Sequence, residues 1–314
     1  MTTTVQRLAA CILAVCLPIT GALFSAGDAT AARPKPLPVP FSILSDAVGS
    51  TLAATSPPGA NDWKCKPSTQ HPEPVILVHG FMANAANNWQ TFSPLLHNQG
   101  YCVFALHYGA IGPIGGLSRS PQNLLSTIPE NIKEFGAFVD KVLHATAAKK
   151  VALIGHSKGA TMPLGYLKFH GGNKKVSKMI GIAGGAHGTG GDLMPSWFEV
   201  APAAPFIRAL NNGPITQPGT AYTQILTRYD EAILPYTAGI INEPGAVNIT
   251  IQDKCSNDFS DHVSIVSDPN VAHFVLKALD PAYNLPLRCT SVYPAFGVMP
   301  GTPIPPGISA PLPR

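Results

Sequence analysis

The most constraining feature of this chain is a serine between two glycines, directly after an apolar run. Residues 151–154 read Val-Ala-Leu-Ile, and the segment Gly155–Gly159 follows as Gly-His-Ser-Lys-Gly. A buried strand must therefore end and a helix begin within a few residues, with Ser157 at the sharp turn between them. Glycine leaves room at such a turn, because it has no side chain to strike the neighbouring backbone. The alternative interpretation is an ordinary glycine-rich turn that happens to contain serine.

The surrounding sequence alternates strand-like and helix-like segments. A capping box at Thr127 and Glu130 precedes a helical apolar repeat, and further helices are predicted from Lys158 to about Phe169 and from about Val271 to Leu279. Short apolar runs without polar alternation are typical of strands buried on both faces. They occur at Pro74–Val78, Cys102–Leu106, Val151–Ile154, Met179–Ala183, Thr223–Leu226 and Val247–Ile251. The pattern predicts an α/β fold, a mostly parallel doubly wound sheet with helices on both faces. The carboxyl ends of the strands, and Ser157 with them, should then lie at one edge.

The N-terminus is typical of a secretory signal peptide. Arg7 precedes an almost wholly apolar stretch, Leu8–Phe24, and small residues follow at 29–32. We interpret residues 1–32 as a signal cleaved near Ala31 or Ala32, and we expect a secreted, extracellular protein. A retained membrane anchor is the alternative. No other segment is long and apolar enough to span a bilayer. The net charge of +4 comes without a Lys/Arg-rich run, so nothing indicates nucleic-acid binding.

Four cysteines remain after the predicted cleavage. An even number in an exported protein suggests two disulfides, and three pairings are possible. We favour Cys65–Cys102 and Cys255–Cys289, because each pair brackets one end of the predicted domain and closes a short loop. Free buried thiols are the alternative. Metal binding is disfavoured, since no pair has Cys-x-x-Cys spacing.

Three regions depart from the alternating pattern. Residues 33–60 are proline-rich and are interpreted as an extended arm before the main domain at 61–291, and the proline-rich residues 292–314 are interpreted as a disordered tail. Residues 186–221 mix glycine and proline with many large apolar residues, so they either cap a site or pack on the domain. These apolar residues are Leu193, Met194, Trp197, Phe198, Phe206 and Ile207.

A reactive serine needs a histidine to take its proton and a carboxylate to orient the imidazole. After a turn of this kind, the acid and then the histidine follow in chain order. Asp230 follows the strand-like run 223–226, and His262 follows the last strand, so these two are predicted to complete a triad with Ser157. Other candidates for the acid are the neighbouring Glu231 and, further away, Asp192 and Asp258. His273 lies on a predicted helix and is interpreted as a core or surface histidine.

Two backbone N–H groups should stabilise a developing oxyanion. One belongs to Lys158, directly after the serine at a helix start, and the other to Phe81, in the loop after an early strand. Gly80 permits a close approach there, and His79 is interpreted as a hydrogen-bonding residue that shapes this loop. The Lys158 side chain is expected to face solvent.

Together these motifs resemble the secreted bacterial class 2 lipases, over about residues 62–289. The resemblance rests on His79-Gly80-Phe81, Asn88-Trp89, the stretch 100–106, the turn at Ser157, Tyr229-Asp230-Glu231 with Pro235, and Asp261-His262. It implies an α/β-hydrolase domain that acts on carboxylic esters without a cofactor. It also implies a triad of Ser157, Asp230 and His262, with Phe81 and Lys158 as oxyanion donors. The chain departs from the family at Lys158 and Ala160, where Gln and Gly are common, and at Phe81, where a smaller residue is common.

The sequence therefore predicts a secreted serine ester hydrolase that cleaves acylglycerols or similar esters through an acyl-enzyme. We expect a monomer that binds an acyl-ester or lipid substrate, with an oil–water interface as one setting, and no metal. Cutinase-like polyester hydrolysis and acyl transfer are alternatives, and a non-catalytic binding protein on the same scaffold is the rival from a different class. Residues predicted to line the acyl pocket with Phe81 are Leu193, Met194, Trp197 and Phe198.

Overall fold

A six-stranded, all-parallel sheet lies at the centre of the fold. The structure, a computed structural model, describes residues 35–45, 55–109, 126–190 and 198–308. The predicted signal at 1–32 lies outside the described residues. The strands are β1 (Val75–Val78), β2 (Val103–Leu106), β3 (Val151–His156), β4 (Val176–Ile182), β5 (Ala221–Leu226) and β6 (Ala246–Thr250). Each lies where an apolar run predicts a strand, and the predicted α/β-hydrolase type of sheet is confirmed.

The strand order, β2-β1-β3-β4-β5-β6, creates a switch point between β1 and β3. The chain leaves β1 towards one edge of the sheet and returns at β3 to build towards the other. In open α/β sheets, the crevice at such a switch point is the usual place for a ligand. Val78 pairs with Gly155 in the register of β1 and β3, so the loops after these two strands start side by side. Ser157 lies in one of these loops and Phe81 in the other.

Six α-helices lie wholly within the described part of the chain. The predicted capping box is present, since Thr127 accepts from Glu130 N and the Glu130 side chain accepts from Thr127 N. The helices are α1 (Ala85–Asn88), α2 (Phe92–Asn98), α3 (Ile128–Thr146), α4 (Lys158–Phe169), α5 (Pro205–Leu210) and α6 (Pro269–Leu279). Short 3-10 helices are Gly172–Lys174, Tyr236–Gly239, Ile251–Asp253 and Ser264–Ser267. The sequence predicts α3, α4 and α6, but not the shorter α1, α2 and α5.

The sheet is covered on both faces, as its apolar strands require. Along β1, Val75 and Leu77 enter one hydrophobic core while Ile76 and Val78 enter the other. Successive side chains of a strand point to opposite faces, so a continuous apolar run is expected only where both faces are buried. Helices α2 and α6 pack on the first face and α3 and α4 on the second.

Both predicted terminal segments pack on the domain where the structure describes them, at 35–45 and 55–60 in the arm and at 292–308 in the tail. The compact unit that contains the sheet begins at Pro36. In the arm, Phe41 is buried in the first core, and Leu37 exchanges two hydrogen bonds with Asn98, each 2.8 Å long. The arm is therefore held by apolar contact and by hydrogen bonds between its backbone and the Asn98 side chain.

The prediction of a disordered tail is wrong for residues 292–308. The carbonyl of Val292 accepts a hydrogen bond from Phe259 N at 2.9 Å, and Val298 N donates to Phe41 O at 2.8 Å. Val292 and Ile308 are both buried. Proline content suggests disorder only while apolar anchors are too few, and here a small number of them reach the core. Residues 309–314 lie outside the described chain.

The apolar segment 186–221 packs on the domain where the structure describes it. Helix α5 buries Ile207 and Leu210, and the Phe206 ring lies against Gly165 of α4, where an added Cβ would meet it at 2.6 Å. Residues 191–197 lie outside the described part, so the predicted pocket residues Leu193, Met194 and Trp197 receive no structural account. Across the described ranges, no helix is both long and apolar enough to cross a membrane.

Two disulfides join the four cysteines in the pairing that the sequence favours. Cys65 bonds to Cys102 and Cys255 bonds to Cys289, with sequence separations of 37 and 34 residues. The first ties the segment before β1 to the start of β2. The second ties the segment after β6 to the segment that follows α6.

Replacing Cys255 and Cys289 together by serine should lower the free energy of unfolding by about 3–4 kcal/mol, since the unfolded chain regains the freedom of a loop of this length. Urea unfolding of the double variant against the wild type measures the change. Adding thiol reductant to the variant should lower its stability again, through the remaining disulfide. An unchanged unfolding midpoint would show that the second disulfide does not stabilise the fold.

Candidate active site

Ser157 lies on a strained turn between β3 and α4. Its backbone has φ 54° and ψ −124°, a region that residues with a side chain seldom occupy. The flanking glycines make this turn possible. A Cβ on Gly155 would lie 2.0 Å from the carbonyl oxygen of Gly159, and a Cβ on Gly159 would lie 2.2 Å from that of Val78. The serine is thus held at the carboxyl edge of the sheet, in the geometry of a nucleophile elbow.

Asp230 and His262 are directly hydrogen-bonded. His262 Nδ1 lies 2.9 Å from Asp230 Oδ1, and both residues are buried. The same carboxylate oxygen accepts from the backbone N–H groups of Ala232, at 3.0 Å, and Ile233, at 2.7 Å, which fix its direction. A carboxylate at Nδ1 keeps the proton on that nitrogen, so Nε2 presents a lone pair. The imidazole is therefore arranged to accept a proton at Nε2.

His262 is linked to the elbow through His156, the residue before Ser157. His156 Nε2 lies 2.9 Å from the His262 carbonyl oxygen, and the centroids of the two rings are 4.9 Å apart. Within the described chain, no hydrogen bond joins the Ser157 hydroxyl itself to His262. Such bonds are commonly long before a substrate binds. The structure thus brings the two loops together, with the Asp230–His262 pair already formed.

The rival acids have other partners. Glu231 Oε2 accepts from the backbone N of His262 at 2.9 Å, so it holds the main chain while Asp230 holds the ring. Asp258 is fully buried and accepts from Ser260 and Asn270. Asp192 lies outside the described residues. The rival histidine, His273, packs against Tyr283, with ring centroids 5.3 Å apart. Of the acids that the structure describes, Asp230 is thus the one that contacts the His262 ring.

Asn88 joins the loop after β1 to the elbow at Ser157. This loop contains His79, Gly80 and Phe81 and is called the oxyanion loop below. Its side-chain oxygen accepts from Gly80 N at 2.9 Å and lies 3.0 Å from His156 Nδ1. With the His156–His262 contact, one buried network ties together the loops after β1, β3 and β6. Burial holds the pKa of His156 well below its usual range, and the neighbouring His262 adds to this. Sequence reasoning noted Asn88 only within an Asn-Trp motif and assigned no role to His156.

The two predicted oxyanion donors lie on the loops that meet at the switch point. Lys158 is the first residue of α4, where the helix dipole gives the N–H groups partial positive charge. Phe81 follows Gly80, and a Cβ on Gly80 would lie 3.2 Å from Ser157 Cβ, so this loop passes very close to Ser157. Both backbone positions suit the predicted roles, which remain predictions.

Comparison with known proteins identifies the family. The profile of the class 2 lipases matches residues 72–275, which include all the residues of this site. The chain belongs to the class 2 lipase family. A triacylglycerol lipase of Burkholderia plantarii is 33% identical over 121 residues, which are 37% of this chain and 30% of that protein. The chain thus aligns with under a third of the length of this curated relative.

One solved structure in particular shares the fold of this class 2 lipase. Lipase B of Aspergillus fumigatus superposes with a TM-score of 0.54 at 19% identity, over 67% of this chain and 52% of that one. The mature form of a lipase from Bacillus licheniformis, BlEst2, gives a TM-score of 0.49 at 13% identity, over 70% and 95% of the two chains. At such low identity, the first likeness supports the α/β-hydrolase fold alone.

The prediction of a solvent-facing Lys158 side chain is wrong. The residue is only 5% exposed, and its Nζ lies 3.7 Å from Glu199 Oε2 and 5.8 Å from the centroid of the Phe81 ring. The start of α4 lies beneath the oxyanion loop and the segment after residue 197, so the side chain cannot reach solvent. Burial lowers the pKa of Lys158, and the Glu199 carboxylate opposes that shift.

His79 shapes the oxyanion loop and remains uncharged. Burial lowers the pKa of His79 to about 3. Its Nδ1 lies 2.9 Å from the Gly80 carbonyl oxygen, and its ring stacks on Tyr108 with centroids 4.2 Å apart. The Tyr108 hydroxyl donates to the His79 carbonyl at 2.8 Å. These contacts agree with its interpretation as a loop residue, because a buried imidazole with so low a pKa is a poor base at neutral pH.

Phe198 is the predicted pocket residue that the structure describes. Its ring meets the Phe81 ring edge to face, with centroids 6.0 Å apart. The two aromatic side chains form an apolar wall beside the oxyanion loop, of the kind that an acyl chain requires. In the ranges that the structure covers, no three His, Cys, Asp or Glu side chains cluster as a metal site would require.

A buried carboxyl pair supports the loop that carries His262. Asp268 caps α6 by accepting from Asn270 N at 2.7 Å and Val271 N at 3.3 Å. Burial, and then the nearby Asp258, raise the pKa of Asp268 well above its usual range. Since the folded protein favours the protonated form, this group contributes stability that is fully present below about pH 4, the value for an unfolded Asp. That contribution is lost as the pH rises through the raised pKa.

Asp268→Asn should therefore gain stability relative to the wild type as the pH increases. Asparagine caps a helix about as well as aspartate and carries no charge. The difference in unfolding free energy between variant and wild type, measured by urea unfolding from about pH 4 to pH 9, should shift steadily in favour of the variant as the pH rises. Asp140→Asn, at an exposed helix position, is the control and should show a flat difference. A flat difference for Asp268→Asn would contradict the prediction.

Proposed function

We propose that this class 2 lipase is a secreted carboxylic ester hydrolase that cleaves acylglycerols or similar acyl esters through a serine acyl-enzyme. The observation that carries the proposal is the Asp230–His262 hydrogen bond of 2.9 Å, tied through His156 to the elbow that holds Ser157. A nucleophile on a strained turn, an oriented imidazole and two loop N–H groups are the parts that acyl transfer needs. Family membership supports the same chemistry.

Acylation begins when Ser157 Oγ attacks the ester carbonyl carbon. His262 Nε2 takes the hydroxyl proton, and Asp230 stabilises the imidazolium that forms. The carbonyl oxygen becomes an oxyanion that the N–H groups of Phe81 and Lys158 stabilise. When the tetrahedral intermediate collapses, the ester C–O bond breaks, the imidazolium protonates the departing alkoxide, and an alcohol leaves. The acyl group remains on Ser157.

Deacylation repeats these steps with water as the nucleophile. Water gives a proton to His262 Nε2 and adds to the acyl carbon. Collapse of the second intermediate breaks the bond to Ser157 Oγ, which recovers its proton from the imidazolium. The products are a carboxylic acid and the free hydroxyl, so no redox partner is consumed. The Asp230 contact keeps His262 in one tautomer through both halves of the cycle.

The substrate class rests on the apolar wall and on the relatives. Phe81 and Phe198 suit an acyl chain, and Leu193, Met194 and Trp197 are proposed to extend the wall. The Burkholderia plantarii relative is named a triacylglycerol lipase. Initial rates on p-nitrophenyl esters of increasing chain length, followed by an emulsified triglyceride, test this class and the proposed action at an oil–water interface.

Secretion is proposed from residues 1–32 and from the two disulfides. A monomeric state is also proposed.

The alternatives share the scaffold but differ in the fate of an acyl group at Ser157. A cutinase-like polyester hydrolase and an acyltransferase would use the same triad, and an acyltransferase would pass the acyl group to an alcohol instead of water. A non-catalytic binding protein would not react at all. Covalent labelling of Ser157 by a fluorophosphonate separates the first two from the third, and product analysis with an added alcohol separates hydrolysis from transfer.

Ser157→Ala should lower ester hydrolysis by roughly 10⁴-fold or more while the protein stays folded, because the attacking hydroxyl is gone. The variant should also lose fluorophosphonate labelling. Ser291→Ala is the control, since this serine lies in an exposed contact with Asn257 and should leave the rate unchanged. A folded Ser157→Ala protein that retains a tenth of the activity would exclude this serine as the nucleophile.

Asp230→Asn and Glu231→Gln should separate the two neighbouring acids. Asp230→Asn should lower kcat by roughly 10⁴-fold, because an amide in place of the carboxylate favours the wrong histidine tautomer. Glu231→Gln keeps an oxygen that can accept from the His262 backbone, so its loss should stay below about ten-fold. Steady-state kinetics on one ester measures both variants. A larger loss in Glu231→Gln would reassign the catalytic acid.

A further inference from the structure

Lys158, which is buried, and Glu199, which is half-buried, form an ion pair beside Ser157 that the proposed catalytic cycle does not use. The Lys158 ammonium lies 3.7 Å from Glu199 Oε2, and Lys158 is 5% exposed against 33% for Glu199. Removing a lysine from water is unfavourable unless an opposite charge compensates, so a lysine at this depth needs a structural reason. The backbone N–H of Lys158 is a predicted oxyanion donor, whereas its side chain extends towards Phe81.

Glu199 is also held from a second direction. Its Oε1 accepts a hydrogen bond of 2.7 Å from the backbone N of Ile128, the first residue of α3. The N-terminus of this 19-residue helix favours a negative charge. One carboxylate thus connects the start of α3, the residue after the nucleophile, and the segment that carries Phe198.

The segment 198–200 is therefore fixed at several points close to the oxyanion loop. The Val200 carbonyl accepts from Thr189 N at 2.8 Å, and the Phe198 ring rests on the Phe81 ring. The Lys158 ammonium lies near the other side of this contact, 5.8 Å from the Phe81 centroid. If the ion pair were lost, the aromatic wall would keep its residues but lose part of what holds them in place.

We propose that the Lys158–Glu199 ion pair is a strap that holds Phe198 against Phe81 and thereby sets the acyl-chain preference of the site. Both side chains act as positioning residues, since neither needs to touch the reacting atoms. The inference rests on the proposed ester hydrolysis and adds which residues determine its specificity. A short acyl group makes little use of the wall, whereas a longer one buries methylenes against it.

The test compares kcat/KM for p-nitrophenyl octanoate with kcat/KM for p-nitrophenyl acetate. Glu199→Gln keeps an oxygen for Ile128 N but removes the charge, and Lys158→Met removes the ammonium with little change in length. Each variant should lower the octanoate-to-acetate ratio by about 4- to 15-fold, as expected for losing contact with one or two methylenes. Lys175→Met is the matched control, because it breaks an exposed ion pair with Asp140 and should leave the ratio unchanged.

Combined variants distinguish a shared strap from separate effects. Lys158→Met with Glu199→Gln should give a ratio within about two-fold of Glu199→Gln alone, since both changes break the same contact. Phe198→Ala should lower the ratio alone and add little to Glu199→Gln. If Lys158→Met does not fold, Glu199→Gln with Phe198→Ala provides the same comparison.

The outcomes distinguish an ion pair that sets acyl-chain preference from one that only stabilises the packing of the fold. A folded Glu199→Gln protein with a wild-type ratio, even if its Tm falls, would overturn the strap. Equal losses on acetate and octanoate would do the same, because a structural defect alone does not depend on acyl length. If the wild type hydrolyses neither ester and resists fluorophosphonate labelling, the proposed function itself fails and the strap fails with it. Activity in the wild type with no change of ratio in the variants overturns the strap alone.

Discussion

The close contact between the start of α4 and the end of β1 governs the geometry of the site. A side chain on Gly159 would lie 2.2 Å from the Val78 carbonyl and 2.3 Å from that of His79, so the helix and the loop touch backbone to backbone. This contact brings the loop after β1 close to Ser157, which lies in its strained turn. Any larger residue at Gly159 would separate the two loops and move apart the N–H groups of Phe81 and Lys158, the two predicted oxyanion donors.

Hydrogen bonds between buried polar groups of different loops stabilise this arrangement. Asn88 and His156 connect the oxyanion loop to the His262 backbone, and Glu231 and Asp230 hold His262 from the other side. Inside a protein such bonds are strong, and a missing partner is costly. His262 is therefore held at its ring, its backbone N–H and its carbonyl. Such preorganisation suits the proposed reaction, in which a proton moves twice through this imidazole.

The arm, the tail and the second disulfide stabilise the fold by attaching the terminal parts of the chain to the domain. The arm places Phe41 in the first core, and the tail pairs with it through Val298. The Cys255–Cys289 disulfide joins the chain on either side of the His262 loop and α6. A disulfide stabilises a region of short strands and loops because it lowers the conformational entropy of the unfolded chain, while the folded chain is already restricted. The loop with His262 is thus enclosed by a disulfide, a capped helix and the ordered tail.

The sequence by itself determined what depends on local chemistry. Continuous apolar runs predict the six strands, since such runs suit burial on both faces, and Thr127 with Glu130 predicts the start of α3. The glycines around Ser157 predict the strained turn, because no other residue fits there. The order of Ser157, Asp230 and His262 along the chain predicts which acid and which histidine meet.

Only the tertiary structure decided which side chains are buried, and with which partners, where their environment comes from distant segments of the chain. The sequence predicts that the Lys158 side chain faces solvent. In the structure it is buried at the elbow, and Glu199 from another segment compensates its charge. Glu199 bonds to Ile128, 71 residues away, and no local pattern encodes such a contact. The tail at 292–308 is predicted to be disordered because its apolar anchors are few, and its order depends on hydrogen bonds to the arm and to the segment before His262. Local composition indicates whether a segment tends to be ordered and buried. The free energy of burying its side chains, however, depends on which groups the rest of the chain places beside them.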